Sequence, residues 1–87
     1  MTPSLPPRRE RLLVPELGLG AAPLAVSLWL VPTGATVLAG DRVVELVAGA
    51  ATIDLEAPVS GRLVALFAEE DDLVAAGTVL AEFEVDE

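Results

Sequence analysis

The sequence predicts an all-β fold, a sandwich or flattened barrel, and three observations carry that expectation. The apolar runs are short, and several alternate at a period of two. Turn residues punctuate them at regular intervals. Where alanine is abundant enough to suggest helix, Gly, Pro or valine-rich interruptions break the helical period.

Taken in order, residues 1–11 hold three prolines and four charged side chains and read as a disordered arm, with the folded domain expected over 12–87. Leu12, Leu13 and Val14 form a short run ended by Pro15. From Ala25 to Val31 the pattern places Val26, Leu28 and Leu30 on one face and Ser27, Trp29 and Val31 on the other. Arg42 to Val47 is valine-rich. Thr52 to Glu56 turns Ile53 and Leu55 inward. Arg62 to Phe67 is apolar. Val79 to Val85 sets Val79, Ala81, Phe83 and Val85 against Glu82 and Glu84. Turns fall at Pro32 to Gly34, Ala39 to Asp41, Ala48 to Ala50, Ala57 to Gly61, Glu69 to Asp72, and Ala76-Gly77.

Shifting the chain by 37 positions superposes Val37 on Val74, Ala39 on Ala76, Gly40 on Gly77 and Glu45 on Glu82. These identities sit at equivalent turn-then-strand places, so two similar halves related by a pseudo-twofold axis are expected.

Composition narrows the chemistry. The 87 residues suffice for one small domain. Cysteine, histidine, tyrosine and lysine are absent, and the basic residues are Arg8, Arg9, Arg11, Arg42 and Arg62. The commonest bases and nucleophiles are therefore missing, and no catalytic residue is assigned. The net charge of −9 is uneven, +2 over residues 1–11 and −11 over the rest. An acidic body repels phosphate backbones, which argues against nucleic acid and for a protein partner. The run from Ala21 to Val31, broken by Pro23, falls short of the roughly 18 apolar residues of a spanning helix, so no membrane association is expected. Arg8-Arg9 ahead of Leu12 resembles a twin-arginine export signal. Pro15, Glu16, Gly18, Gly20 and Pro23 interrupt the apolar region such a signal needs, and a cytoplasmic location is expected. Glu69 to Asp72 lacks the spacing of a calcium loop and reads as a solvated turn. Ser60 reads as a turn residue, and Trp29 as strand packing or, alternatively, a stacking surface.

The order of motifs resembles the lipoyl/biotinyl-attachment domains, notably those of 2-oxo acid dehydrogenase acyltransferases. The carrying residues are Val14-Pro15-Glu16-Leu17-Gly18, Leu28-Trp29-Leu30-Val31 with Gly34, and Val37 through Asp41. Glu45, Ala51 to Asp54, Ala57-Pro58 and Gly61 follow, and then Val74, Gly77 and Leu80-Ala81. The resemblance implies a flattened barrel, a barrel-sandwich hybrid of two four-stranded antiparallel sheets. It also implies a hairpin tip bearing a modified lysine in an Asp-Lys-Ala triplet. Here the triplet reads Gly49-Ala50-Ala51, with Ala50 at the lysine position. No lysine stands elsewhere, so no cofactor is expected. Asp71 replaces the glycine of the second Gly-Asp turn, which an aspartate tolerates.

What the resemblance leaves is an interaction module without cargo, an accessory subunit of a separate acyltransferase. The expected contact surface is Ala48, Gly49, Ala50 and Ala51 with Glu69, Glu70, Asp71 and Asp72. Small stand-alone proteins of this type accompany acyltransferase cores in actinobacterial polyketide pathways that acylate a tetronate ring, and the Ala- and Arg-rich, lysine-free composition suits such a GC-rich genome. Other readings stay open: a β-domain that binds a small molecule or carrier protein, a self-associating scaffold, or a relic without cofactor.

Overall fold

The computed structural model describes residues 5–20 and 22–86. Among these residues eight strands follow one another: β1 Arg9–Leu13, β2 Leu24–Trp29, β3 Thr36–Val37, β4 Arg42–Ala48, β5 Ala51–Glu56, β6 Gly61–Leu66, β7 Leu73–Val74 and β8 Val79–Val85. They form two four-stranded antiparallel sheets, β1-β8-β6-β3 and β5-β4-β2-β7. Among the described residues there is no helix long and apolar enough to cross a membrane.

The 37-residue repeat runs deeper than its four identities. Adding 37 carries β2 onto β6, β3 onto β7 and β4 onto β8, strand end for strand end. It also carries the extra residue of one bulge, Ser27, onto Val64, and that of another, Val43, onto Leu80. The linking hydrogen bonds repeat as well. Gly34 N donates to Leu63 O and Leu63 N to Ala35 O, while Asp71 N donates to Val26 O and Val26 N to Asp72 O. Each half thus lends a two-residue strand to the sheet that the other half dominates, so both must be present for either sheet to complete its ladder.

The core follows the same symmetry. Its fully buried members include Val26 and Leu63, Val43 and Leu80, and Leu46 and Phe83, each pair 37 residues apart. Trp29 and Val31 pack against this cluster from its edge. No polar or charged side chain is buried among the described residues, so the core asks for no internal hydrogen-bond partners.

Three expectations need correction. The first strand starts at Arg9, inside the segment read as a disordered arm; the part of that arm at residues 1–4 lies outside the described residues. β1 is the end strand of its sheet and buries only Leu12, so apolar pattern gave little sign of it. Its two arginines, Arg9 and Arg11, both meet Glu82 on β8, and just before the strand Val85 N donates to Arg8 O. Second, Val26 is buried whereas Leu28 and Leu30 are exposed, because the bulge at Ser27 reverses the alternation and turns Trp29 toward the core. Third, Val79 does not share a face with Ala81 and Phe83. The bulge at Leu80 sets it opposite the exposed Leu13. The two-residue strands β3 and β7 are too short to leave a periodic signal of their own.

Candidate functional site

The β4–β5 hairpin closes through the pair Ala48↔Ala51 with Gly49 and Ala50 at its turn. Gly49 has φ 59°, and Ala50 is not among the residues of positive φ. That combination belongs to a type II′ turn, which asks for glycine at the first central position and suits a two-residue hairpin. Ala48 is buried beneath the tip, while Gly49, Ala50 and Ala51 are exposed. The exposed crown is therefore three small uncharged residues, and Ala50 presents only a methyl group.

The acidic turn lies elsewhere on the same sheet. Asp72 O accepts from Val26 N, and Val26 pairs with Leu46, three residues below Gly49. At about 3.4 Å per residue along a strand and 4.8 Å between strands, the two regions are separated by roughly 10 Å in each direction. They do not form one continuous patch, although both belong to the β5-β4-β2-β7 sheet. Two of the four acids have local work. Asp72 Oδ2 accepts from Glu69 N at 2.8 Å and closes the turn, and Asp71 takes φ 73° where its pseudo-equivalent Gly34 has φ 95°. Glu69 and Glu70 are simply exposed. No three carboxylates among the described residues converge as a metal ion would require.

Beside the tip is a feature that sequence reasoning did not find. Leu24 pairs with Val74 at the tip end of β2 and β7, and continuing the β2–β4 register puts Leu24 level with Ala48. The loop from Pro15 to Gly20 lies over this end and leaves a cleft of about 300 Å³ lined by Glu16, Leu17, Leu19, Leu24, Val74 and Ala76. The loop is shaped by Gly18 and Gly20 at φ 67° and 64°, with Gly18 N donating to Glu16 Oε1 at 2.9 Å. The alternation Leu17-Gly18-Leu19-Gly20 was the available signal, two apolar side chains each followed by a residue free to turn left-handed.

The other singled-out side chains are structural. Trp29 Nε1 donates to Ala68 O at 3.0 Å, tying the two halves together, and Ser60 Oγ accepts from Ala39 N at 2.9 Å across neighbouring turns. Leu38 N donates to Asp41 Oδ2 just as Ala75 N donates to Thr78 Oγ1, the same turn device at positions 37 apart.

The chain resembles known proteins along nearly its whole length. The family described as Biotin-requiring enzyme, the biotin/lipoyl domains, matches residues 10–83. The lipoamide acyltransferase component of the branched-chain alpha-keto acid dehydrogenase complex of Pseudomonas putida is 32% identical over 74 residues, which is 84% of this chain and 17% of that protein. The dihydrolipoyllysine-residue acetyltransferase component of the pyruvate dehydrogenase complex of Corynebacterium glutamicum is 32% identical over 68 residues, 78% of this chain and 10% of that protein. This chain thus spans under a fifth of the length of either relative. A single-chain, multi-domain long-chain acyl-CoA carboxylase shares the fold, with a TM-score of 0.74 and 24% identity over 99% of this chain and 8% of that one. The groups such domains are named for do not fit the residues present, since attachment through an amide needs a side-chain amine and the chain has no lysine. By fold, length of match and similarity to the acyltransferase components, the chain belongs to the biotin/lipoyl domain family.

Proposed function

We propose that this chain is a cofactor-free docking module, an accessory subunit of a separate acyltransferase of the 2-oxo acid dehydrogenase type. It catalyses nothing itself. The hairpin tip at Ala48 to Ala51 forms its principal contact, and the acidic turn Glu69 to Asp72 supplies a second, electrostatic one. An acyltransfer step in polyketide assembly, such as tetronate acylation, is the setting that fits a lysine-free, Ala- and Arg-rich domain of this family.

The observation that carries the reading is the state of the tip. The hairpin is retained as a regular two-residue turn over the buried Ala48, and the exposed residues at its crown, Gly49, Ala50 and Ala51, are small and uncharged. A partner can cover such a surface without burying a charge, whereas covering an ammonium there would require desolvating it. The reading therefore predicts that restoring the family's residue harms the complex. With the acyltransferase purified separately, titration calorimetry of the Ala50→Lys variant should show affinity at least tenfold below that of the unchanged chain, with Ala50→Ser close to it. Equal affinity for Ala50→Lys removes the tip from the interface. No binding by the unchanged chain removes the accessory-subunit reading itself.

A further inference from the structure

We infer that the outer edge of β1, which pairs with no second strand among the described residues, is a second docking site, which takes an extended acidic segment of a partner protein as an added, antiparallel strand. The backbone parity of β1 is set by its bonds to β8. Arg8 O accepts from Val85 N, and Val14 donates its N–H to Thr78 O and accepts from Gly77 N. Even-numbered residues thus face β8, and the N–H and C=O groups of Arg9, Arg11 and Leu13 point the other way, where the sheet ends. An end strand with outward backbone groups is the template that strand addition uses, with main-chain hydrogen bonds for affinity and alternate side chains for selectivity.

The side chains of these three residues state what the added strand must carry. On its paired edge, β1 already faces a matching sequence: Arg9 opposite Glu84, Arg11 opposite Glu82 and Leu13 opposite Val79. A segment with an apolar residue followed by carboxylates two and four positions later reproduces that pattern on the free edge. The arginines have capacity to spare. Glu82 alone serves both Arg9 Nη1 at 3.0 Å and Arg11 Nε at 3.5 Å, and their side chains remain 53% and 64% exposed. A guanidinium has five N–H donors, so a second carboxylate completes the pair without breaking the first.

The apolar position has a counterpart too. Leu13 is 46% exposed and Phe67 56% exposed, and a cleft of about 250 Å³ opens between Arg11, Phe67 and Val79 on this outer face. A bulky apolar side chain opposite Leu13 covers it and extends the row toward that cleft. The symmetry-related edge offers nothing similar. Residues 52, 54 and 56 of β5 stand where 9, 11 and 13 stand on β1, and they are Thr52, Asp54 and Glu56. That edge repels the same acidic segment, so the site belongs to one side of the barrel only. β5 of a second copy carries the carboxylates but sets Thr52 opposite Leu13, and both copies bear a net charge of −9, which disfavours their approach.

The test uses the full chain, isotopically labelled, and a blocked synthetic peptide reading Thr-Trp-Thr-Glu-Val-Glu-Thr. The expected result is a set of amide shifts centred on Arg9, Arg11 and Leu13 and slower hydrogen exchange at those three N–H groups. Binding should weaken at least tenfold with lysines in place of the peptide's glutamates, and again with Arg9→Glu/Arg11→Glu. Leu13→Ser tests the apolar position without reversing charge. The Arg11→Pro variant removes an N–H that has no bond to β8, so it should abolish binding while the spectrum of the barrel persists. Shifts at the β4–β5 tip or at β5, or no shifts at millimolar peptide, overturn the proposal. So does concentration-dependent self-association of the chain that Asp54→Lys/Glu56→Lys abolishes, since the occupant is then a second copy. The peptide assay involves neither the tip nor an acyltransferase, and it stands or falls separately from the proposed function.

Discussion

Residues 24–48 and residues 61–85 build the same half-barrel from nearly unrelated sequence, and they differ where they meet solvent. Inside, the positions correspond in burial and kind: Val26 with Leu63, Val43 with Leu80, Leu46 with Phe83. Outside, they part. The β5-β4 face holds Arg42 against Asp54 at 3.6 Å, with Glu45 and Glu56 nearby, whereas the equivalent β1-β8 face shows Leu13, Val79 and Phe67 beside two arginines. The backbone and core require the symmetry. The surface does not, and it is the surface that distinguishes a fold shared by many proteins from what one of them does.

The strongest way to break the comparison is to empty the core at one symmetric pair. Leu46→Ala and Phe83→Ala each remove a fully buried side chain, and costs of about 2–5 and 3–5 kcal/mol are expected from the burial lost and the cavity left. If the two halves are one cooperative unit, urea unfolding stays a single transition in both variants, with the midpoint lowered and the slope unchanged. A separate early transition in one variant would mean that its half unfolds alone, contrary to the exchanged strands β3 and β7. A sharper contrast comes from Gly61, whose pseudo-equivalent is Leu24. A Cβ at Gly61 would land on the backbone carbonyl of Glu84, so Gly61→Ala should cost at least about 2 kcal/mol by overpacking. Leu24→Ala removes a buried side chain at the matching position, at about 2–5 kcal/mol. One half thus suffers from a methyl added and the other from side-chain carbon removed, and chemical denaturation reads both.

How far the sequence could be read depended on whether a position obeys an average period. Thr52 to Glu56 and the stretch from Ala81 to Glu84 were legible because alternation and burial agree there. The 37-residue echo was legible at its turns, where glycine at positive φ leaves little choice of residue, as at Gly40 and Gly77. The faces of Leu28, Leu30 and Val79 were not legible, since a single bulge residue inverts alternation and Ser27 and Leu80 bear no mark of being bulges. The first half of β1, Arg9 to Arg11, was hidden for a different reason. An end strand needs only one buried side chain, and its charged residues look like those of an arm until their partners on β8 are known. At the candidate site, the alanines of the tip could be placed from sequence, but the cleft beneath Leu17 and Leu19 depends on how the loop from Pro15 to Gly20 folds back over Leu24, which no period encodes.

The smallest expected effect tests the turn at which the halves differ most quietly. Gly34 and Asp71 occupy the same place in the repeat, both donate their N–H to the opposite half, and both have positive φ. An L-residue in left-handed backbone costs about 1–2 kcal/mol, less for aspartate, whose short polar side chain tolerates it. Gly34→Ala should therefore lower stability by about 1 kcal/mol, and more than Gly34→Asp does. Asp71→Gly relieves the backbone but adds freedom to the unfolded chain, two terms of opposite sign, leaving a change within about 0.5 kcal/mol. It also removes one charge from a run of four acids, which favours the variant slightly at low salt. If thermal melts instead show Asp71→Gly losing as much as Gly34→Ala, the carboxylate at position 71 holds the turn through its side chain. If Asp71→Gly is neutral for stability yet weakens acyltransferase binding, the departure from glycine belongs to the docking surface, and the two halves differ there for the partner rather than for the fold.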